Sequence, residues 1–580
     1  MKILGISCFY HDAAACLLDG GRVVAAAQEE RFTRKKHDWN FPKNAIRYCL
    51  EVGKISIQDL DAVGFYDKPF VKFDRILQTY IATWPLGLLS FLKALPLWLK
   101  EKIWMSSLIE KELNFKEKLF FGEHHLSHAA SAFYASGFEE AAILTVDGVG
   151  EWTTTSIARG KGLDIEILKE IKFPHSLGLL YSTFTYYLGF KVNSGEYKVM
   201  GLAPYGKPRF YDVIMENLVD LKKDGSFKLN QKYFSYTYGL RMAGRRFEKL
   251  FGIPTRKSES PLEQIHFDLA ASIQKVCDEA MLKMARHAYE ITQSSKLCLA
   301  GGVALNCVSN GYILREGPFK EIFVQPAAGD AGGAYGVASF ISHALFREPR
   351  TLQWEHAFIG PGFDQEEVSK FLKHEGAVFE ECRDGELISS VARRITEGKV
   401  VGWVQGRMEF GPRALGHRSI LADPRDPKMK DTVNLKIKFR ETFRPFAPAV
   451  LEEECSNYFD LNQKSPFMLL VAPVKEDRRV IPSVTHVDGS ARVQTINEEQ
   501  DPLFYQLVQE FERQSGVPVM INTSFNVRGE PIVCTPQEAW RCFMRTRMDS
   551  LVIGPFIMDK TKQTRQEEPP EAWLQTIPPD

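Results

Sequence analysis

Residues 141–162 read AAILTVDGVGEWTTTSIARGKG, and this stretch decides the fold class of the chain. An apolar run ends at Asp147, a glycine follows, and a second extended run comes after the turn, which predicts strand, turn, strand. The same layout stands at 2–30, KILGISCFYHDAAACLLDGGRVVAAAQEE, where Gly20-Gly21 predicts a hairpin into a further strand. Two stretches of this chain therefore have the same strand, turn, strand layout.

Helical segments alternate with these strands. Residues 267–291, FDLAASIQKVCDEAMLKMARHAYEI, carry apolar side chains at roughly helical spacing. Residues 296–314, KLCLAGGVALNCVSNGYIL, predict a strand, a turn at Gly301-Gly302 and then a helix. Strands that alternate with helices in this way predict an α/β domain. Glycine turns can bring backbone N–H groups to phosphate oxygens, although most such turns are only turns.

The run GEHHLSHAASAFY places His124 and His128 four residues apart, on one face of a predicted helix. With Asp147 and with Asp330, in PAAGDAGGAYG, they could form a metal site of nitrogen and oxygen ligands, which suits iron, zinc or manganese. A lone histidine pair of this spacing is more often structural than metal-binding. His125 stands where a zinc protease would have its glutamate, which argues against a metalloprotease.

Chain length and charge limit the number of domains and the kinds of partner that we expect. A chain of 580 residues is long enough for two or more domains, and 73 basic against 73 acidic residues give no charge signature of nucleic-acid binding. The pattern of predicted elements changes around residues 346–368, so we expect a domain boundary there, with domains at 1–355 and 356–560. The polar, proline-rich residues 561–580 predict a poorly ordered tail.

Ten scattered cysteines without a CxxC pair, and no signal peptide, predict a cytoplasmic chain with free thiols. No charged residue occurs from Ile76 to Leu92, a length near the short limit for a membrane span, and Pro85 interrupts it. We expect helices packed on the first domain or at a subunit contact, and no transmembrane segment. A peripheral membrane surface is the alternative.

The C-terminal half holds basic and small polar residues set among glycine, proline, phenylalanine and alanine. The candidate anion ligands are Arg413, Arg418, Lys438, Arg444, Arg492, Ser524 and Asn526. Arginine binds phosphate or carboxylate with two parallel hydrogen bonds, and a half-buried arginine cluster needs an anion to offset desolvation. The alternative is a solvated basic face. The surrounding small and apolar residues favour a phosphate-type ligand.

Long stretches of the chain resemble the O-carbamoyltransferases of the nodulation and antibiotic-tailoring family. The resemblance runs nearly end to end, and its motifs include GISCFYHDAAA, AQEERFTRKKHDWNFPKNAI, the histidine run, GEYKVMGLAPYG, GRMEFGPRALGHRSILADPR and NTSFNVRGEP. The family implies an N-terminal actin/sugar-kinase-like domain of two related subdomains fused to a C-terminal YrdC-like α/β domain. It implies an enzyme that uses ATP and carbamoyl phosphate, with magnesium, to make carbamoyl-adenylate and then carbamoylates a small-molecule hydroxyl.

The resemblance also implies roles for individual residues. His124, His128, Asp147 and Asp330 would bind iron(II) or another divalent metal, and His11 would lie at the transfer site, as a base or as an orienting group. The nucleotide would lie against Gly148, Gly195, Gly301, Gly302 and Asn306. In the second domain, Arg413, Arg418, Lys438, Arg444, Arg492, Ser524, Asn526 and Arg528 would bind carbamoyl phosphate and ATP.

Two other functions compete with this interpretation. One is a threonylcarbamoyl transferase acting on tRNA, which zero net charge and the fused second domain disfavour. The other is a nucleotide- and metal-binding regulatory protein without turnover. The acceptor pocket would be lined by Gly206–His266 and by the apolar Ile76–Met105 region, whose composition names no acceptor. We expect a homodimer, the default for a large enzyme of this kind, and no nucleic-acid partner.

Overall fold

The computed structural model of this protein describes residues 1–99, 103–115, 117–350 and 354–563. The chain forms two compact units. The first unit consists of Met1–Glu29 and His37–Trp354, and the second consists of Glu30–Lys36 and the described part of Glu355–Asp580. The sequence pattern gave no sign that a seven-residue segment near the N-terminus, Glu30–Lys36, belongs to the second unit.

The first unit begins with a five-stranded sheet of order β3-β2-β1-β4-β5. Its strands are β1 (Lys2–Ser7), β2 (Ala14–Asp19), β3 (Arg22–Gln28), β4 (Ala62–Phe65) and β5 (Leu119–Phe121). β1, β2 and β3 are antiparallel neighbours, whereas β4 and β5 run parallel to β1. The predicted hairpin is present, and Gly20 and Gly21 take φ values of 54° and 77°, which glycine adopts without steric cost.

A second five-stranded sheet of this unit has the order β12-β11-β6-β7-β8. The strands from here to residue 324 are β6 (Glu140–Val146), β7 (Thr153–Lys161), β8 (Asp164–Lys172), the small pair β9 (Val219–Leu221) and β10 (Phe227–Leu229), β11 (Lys296–Ala300) and β12 (Glu321–Val324). β6, β7 and β8 are antiparallel, and β11 and β12 run parallel to β6. The two sheets therefore share one topology, and the prediction of two related subdomains is confirmed.

Helices cover these sheets. In chain order the helices of the first unit are α2 (Lys43–Gly53), α3 (Pro69–Ala82), α4 (Leu88–Leu97), α5 (Met105–Leu113), α6 (His124–Phe133), α7 (Leu177–Tyr187), α8 (Glu196–Leu202), α9 (Tyr211–Asn217), α10 (Arg245–Phe251), α11 (Gln264–Thr292), α12 (Cys307–Glu316) and α13 (Asp330–Phe340). The short helix α1 (Glu30–Thr33) belongs to the second unit. Glycines let α13 lie against its neighbours: a Cβ at Gly336 would be 1.9 Å from the Ser127 carbonyl oxygen, and one at Gly5 would be 1.9 Å from that of Ala334.

The apolar segment that follows β4 forms α3 and α4, and among the described residues no helix is long and apolar enough to cross a membrane. α3 has an unusual distribution of side chains. Lys72 and Arg75 are buried, with 7% and 8% exposure, whereas Phe70 and Ile81 are 65% and 68% exposed. As predicted, α3 packs on the first domain, but the face that packs carries Lys72 and Arg75. Some of the apolar side chains of α3 are exposed to solvent.

The second unit is built on a nine-stranded mixed sheet of order β13-β21-β20-β14-β15-β19-β16-β18-β17. Its strands are β13 (Glu380–Glu381), β14 (Val401–Val404), β15 (Arg418–Ala422), β16 (Ala447–Leu451), β17 (Leu470–Pro473), β18 (Ser490–Ile496), β19 (Val519–Ser524), β20 (Ser550–Ile553) and β21 (Phe556–Asp559). Its further helices are α14 (Gln365–His374), α15 (Asp384–Thr396), α16 (Met429–Val433), α17 (Cys455–Tyr458), α18 (Pro502–Ser515) and α19 (Pro536–Arg545).

The core of the second unit packs α15 and α18 on this sheet, around the fully buried Trp403. The α/β fold class predicted from the sequence is confirmed. Of the tail predicted at 561–580, residues 561–563 are described, and Gln563 Nε2 donates a hydrogen bond to the Val378 carbonyl oxygen at 2.8 Å. Residues 564–580 lie outside the described residues.

Candidate functional site

Four predicted ligands converge in the first unit. α6 begins at His124 and presents His128 one turn later on the same face, Asp147 follows β6, and Asp330 begins α13. Each of the four offers one ligand atom within 4.8 Å of the others, and all four residues are buried. His124 Nε2 is 3.0 Å from Asp147 Oδ2 and 3.6 Å from Asp330 Oδ1. His128 Nε2 is 3.9 Å and 3.7 Å from the same two oxygen atoms.

Burial controls the protonation of this cluster. It holds the pKa of His124 well below the usual value, with a smaller contribution from His128, so His124 is neutral and keeps a free lone pair. Burial raises the pKa of Asp330, and the Oδ1 atom of Asp330 has no hydrogen-bond partner among the described residues. A buried carboxylate oxygen left in this state is costly unless a cation or a proton neutralises it. The donor set therefore fits a divalent cation.

Outer contacts fix the orientation of the carboxylates and of α6. The Gly302 N–H donates to Asp147 Oδ1 at 2.9 Å, and the Tyr66 hydroxyl donates to Asp330 Oδ2 at 3.2 Å. The first N–H of α6, on His124, donates to the Glu151 carboxylate at 3.1 Å and 3.2 Å. Partners of this kind hold metal ligands in one orientation. Burial, with the nearby Asp67 charge, raises the pKa of Glu151 to about 7.

His11 lies beside the cluster, in the turn between β1 and β2. Its Nδ1 is 3.0 Å from Asp12 Oδ2, and its Nε2 is 3.8 Å from Asp330 Oδ2. Burial alone would lower the pKa of His11, but Asp330, Asp12 and Asp147 together raise it to about 10. His37, which the sequence analysis did not single out, bonds through Nδ1 to Asp12 Oδ1 at 2.7 Å. Asp12 therefore bridges two imidazoles and orients the ring of His11.

The residues predicted to bind a nucleotide fall into two groups. Gly148 has open space where a Cβ would be, so a ligand could lie against it, and the Gly302 N–H faces Asp147. Gly301 is packed against β6, because a Cβ there would lie 2.3 Å from the Val146 carbonyl oxygen, and its φ of 90° favours glycine. Gly195 and Asn306 have packing and capping roles. A Cβ at Gly195 would lie 2.7 Å from that of Phe190, and Asn306 Oδ1 accepts the Ser309 N–H at 3.2 Å as the cap of α12.

In the second unit, three predicted residues meet directly. Lys438 Nζ donates to the Ser524 carbonyl oxygen at 2.6 Å, to Ser524 Oγ at 3.0 Å and to Asn526 Oδ1 at 2.6 Å. Lys438 is 2% exposed. Burial, followed by the charges of Arg440 and Arg444, holds the pKa of Lys438 well below its usual value. An anion bound here would restore the charged state of Lys438.

Two further predicted residues, Arg528 and Arg492, are related to this cluster through the main chain and the sheet. The Arg528 N–H donates to the Lys438 carbonyl oxygen at 3.0 Å. Asn522 Nδ2 donates to Gln494 Oε1 at 2.7 Å, so these two side chains share one face of the sheet. Since side chains two residues apart on a strand share a face, Arg492 and Ser524 lie on that face as well. Arg413 is half-buried in the loop before β15.

Arg418 does not join this cluster. Ser419 of β15 pairs with Ser524 of β19, so Arg418, one residue earlier, belongs to the other face of the sheet. Its buried guanidinium donates to main-chain carbonyl oxygens, among them those of Gln405, Pro361 and Cys534 at 2.5, 3.0 and 3.2 Å. The geometry corrects the prediction of an anion ligand: Arg418 holds loops together.

The sequence analysis also missed the contribution of Glu30–Lys36 to the second unit. Arg31 donates to the Gly411 carbonyl oxygen at 2.7 Å, in the loop that carries Arg413. Arg34 donates to the carbonyl oxygens of Pro531 and Ile532, each at 2.7 Å. The charged run RFTRKK is the only signal in the sequence, and it resembles any solvated basic face.

Comparison with known proteins identifies the family. The model described as Carbamoyltransferase N-terminus matches residues 2–339, and that described as Carbamoyltransferase C-terminus matches residues 392–560. The chain is 52% identical to Uncharacterized protein sll1178 of Synechocystis, over 98% of each chain. It is 38% identical to Nodulation protein NolNO of Sinorhizobium fredii, over 98% of this chain and 82% of that protein. It is 35% identical to the 3'-hydroxymethylcephem-O-carbamoyltransferase of Amycolatopsis lactamdurans, over 46% of this chain and 48% of that enzyme. This chain therefore belongs to the carbamoyltransferase family.

Proposed function

We propose that this enzyme is an ATP-dependent O-carbamoyltransferase that works in two steps. Carbamoyl phosphate, ATP and water give carbamoyl-adenylate, pyrophosphate and phosphate in the second unit. The carbamoyl group then passes to the hydroxyl of a small molecule in the first unit, and AMP leaves. The observation that carries the proposal is the convergence of His124, His128, Asp147 and Asp330 beside His11, in a chain of this family.

The donor half of the reaction relies on cationic side chains. Lys438, Arg444 and Arg492, with Ser524, Asn526 and Arg528, would bind carbamoyl phosphate and the phosphates of ATP. A phosphate placed against Lys438 would offset the cost of burying its ammonium group, because an anion favours the charged form. The same positive charges would stabilise the negative charge that develops on the departing phosphates.

The acceptor half relies on the four-residue cluster and on His11. His124, His128, Asp147 and Asp330 would hold a divalent cation, and the family resemblance names iron(II). When bound, such a cation supplies positive charge that polarises a carbonyl or anchors a phosphate. Gly148 would leave room for the adenylate, the turn at Gly301-Gly302 would lie beside it, and the buried surroundings would keep water from the reactive intermediate.

His11 would orient the acceptor hydroxyl. A pKa of about 10 leaves its ring protonated at neutral pH, and a protonated imidazole donates hydrogen bonds but cannot accept a proton. Neutralisation of Asp330 by a cation would remove part of the charge that raises the pKa of His11. Asp12, held in turn by His37, fixes the ring in both protonation states.

The test is pyrophosphate release by the purified protein with ATP, with and without carbamoyl phosphate, combined with mass detection of carbamoyl-adenylate. We expect release that depends on carbamoyl phosphate, followed by carbamoylation of hydroxyl compounds in a screen of acceptors. Release without carbamoyl phosphate, or no adenylate from folded, metal-loaded protein, would contradict the proposal and would favour the regulatory alternative.

A further inference from the structure

A buried arginine whose guanidinium forms no hydrogen bond or ion pair with the described residues lies next to the proposed transfer site. Arg75 of α3 is 8% exposed, and its guanidinium lies over the Phe173 ring at 5.1 Å. Its Nη1 atom is buried, and among the described residues it has no hydrogen-bond partner and Arg75 forms no ion pair. Removing a guanidinium from water without such contacts is costly, and a bound anion would offset that cost.

The neighbouring carboxylates are already engaged elsewhere. Asp67 accepts a hydrogen bond from Lys72 Nζ at 2.6 Å. Glu151 accepts the N–H groups of Lys68 and His124 at 2.8 Å and 3.1 Å. Burial lowers the pKa of Arg75 and the charges of both carboxylates raise it, but neither carboxylate lies within ion-pair distance of the guanidinium. The guanidinium is therefore available to an anion that comes from outside the protein.

The position of Arg75 connects it with the acceptor. Lys72, one helical turn earlier, lies 5.3 Å from the Tyr10 ring, and Tyr10 contacts His11 with ring centroids 4.8 Å apart. Tyr10 is 39% exposed, so solvent reaches this side of the site. Gly148 and Gly301-Gly302, where the nucleotide would bind, belong to the second subdomain, whereas α3, Tyr10 and His11 belong to the first.

We propose that Arg75 binds an anionic group, a phosphate or a carboxylate, carried by the acceptor alcohol. The guanidinium would bind the anion through two parallel N–H groups and so direct the neighbouring hydroxyl toward His11 and the metal cluster. This inference rests on the proposed function and narrows its substrate class from hydroxyl compounds in general to acidic ones. Arg75 is then a specificity-determining residue that need not touch the reacting atoms.

Binding measurements on the metal-loaded full chain test the proposal without turnover. Glycerol, glycerol 1-phosphate and glycerate differ only in the anionic group, and calorimetry compares their affinities. We expect one of the two acids to bind at least about 10-fold tighter than glycerol, as for a partly buried charge pair. That preference should disappear in Arg75→Met and persist in part in Arg75→Lys. The control Arg22→Met, at an exposed position on β3, should keep it. The preferred acid identifies the anion as phosphate or carboxylate.

A second measurement separates a binding role from a structural one. If Arg75 serves to bind a ligand and does not stabilise the fold, Arg75→Met should raise the melting temperature of the ligand-free protein, because an uncompensated buried charge is removed. A lower melting temperature would mean that the guanidinium supports the fold, and equal affinity of the wild type for all three alcohols would exclude an anion subsite. Loss of the acid preference when AMP is present would assign Arg75 to the nucleotide phosphate and overturn the proposal. Pyrophosphate release by the same samples reports separately on the proposed function.

Discussion

His124 Nε2 and His128 Nε2 lie 3.1 Å apart inside the first unit, and both side chains are 1% exposed. Two ligand nitrogens on one cation, each at about 2.0–2.1 Å, come to a separation of roughly 3 Å. A single proton can bridge the two rings, but two protonated rings at this distance would repel each other strongly. The arrangement suits neutral imidazoles that face a shared positive ion.

His128→Ala removes one of these two nitrogens and opens the cluster. We expect loss of bound metal and of carbamoyl transfer to hydroxyl acceptors, whereas carbamoyl-adenylate formation continues, because we propose that this reaction uses side chains of the second unit. Metal analysis and pyrophosphate release measure the two effects on one sample. His125→Gln is the matched control, since His125 bonds to Thr145 and is not part of the cluster. Simultaneous loss of both activities would contradict the two-site scheme.

Asp330→Asn tests whether the cluster is built for a cation. The substitution removes a buried charge whose Oδ1 lacks a hydrogen-bond partner among the described residues. We expect a metal affinity at least about 10-fold weaker, together with an equal or higher melting temperature of the metal-free protein, because a buried charge is removed and the amide oxygen of asparagine can still accept the Tyr66 hydroxyl. A marked loss of stability in the metal-free state would show instead that the carboxylate has a structural role.

Arg444→Ala should impair the activity that His128→Ala leaves intact, which is carbamoyl-adenylate formation. Arg444 lies close enough to Lys438 to lower its pKa, and a guanidinium that binds phosphate typically contributes a factor of about 100 or more in rate. Adenylate formation should therefore fall to that extent, while transfer from chemically supplied carbamoyl-adenylate continues. A wild-type rate of pyrophosphate release in this variant would remove Arg444 from the donor site.

The sequence could predict this fold because its patterns are local. Strand, turn, strand units around Asp147 and Gly20-Gly21 are determined by alternation and turn chemistry within about 20 residues, the range in which periodicity is informative. The His124 and His128 pair was found for the same reason, since one helical turn determines its spacing. The bond from His37 to Asp12 could not be found in this way, because it depends on how a loop folds back on a distant turn.

Arg418 shows where such reasoning fails. Residue type and glycine-rich surroundings are alike for an arginine that binds an anion and for one that binds carbonyl oxygens. The difference is the face of β15 on which the side chain lies, and the partner strand β19 decides that register. The assignment of Glu30–Lys36 to the second unit could not be predicted for a related reason. It depends on contacts with residues about 380 and 498 positions away in the sequence.

Arg418→Met should therefore destabilise the second unit. The substitution leaves several buried carbonyl oxygens without donors, and we expect a loss of about 3–5 kcal/mol in the free energy of unfolding. Arg418→Lys should not restore stability, since one ammonium group cannot reach carbonyls that a planar fork spans. Arg413→Met, in the same loop but half-buried, is the comparison: it should keep the melting temperature and lose adenylate formation. If Arg418→Met unfolds at the same temperature as the wild type, the structural role of Arg418 is contradicted and the predicted role as an anion ligand is favoured again.

The pH dependence of the second unit should depend on His417. Its Nδ1 is 2.6 Å from the Arg407 carbonyl oxygen, and its Nε2 is 3.3 Å from Asp501 Oδ2, so both ring nitrogens face acceptors and the imidazolium is favoured. Burial alone would lower the pKa of His417, but Asp501 and Glu409 raise it above its ordinary value. A raised folded-state pKa adds stability that is complete below the unfolded pKa, about 6.5, and is lost as pH rises through the folded value.

Asp501→Asn tests this assignment while it preserves the cap of α18, because either side chain can accept the Phe504 N–H. We expect the variant to be less stable than the wild type by about 1–3 kcal/mol near pH 6, because the buried imidazolium loses the carboxylate with which it forms an ion pair, and the difference to shrink as pH rises. An NMR titration of the His417 ring should give a midpoint above 6.5 in the wild type and a lower one in Asp501→Asn. A stability difference that is constant with pH, or a wild-type midpoint below 6.5, would show that His417 is neutral and that the Asp501 carboxylate acts only as the cap of α18.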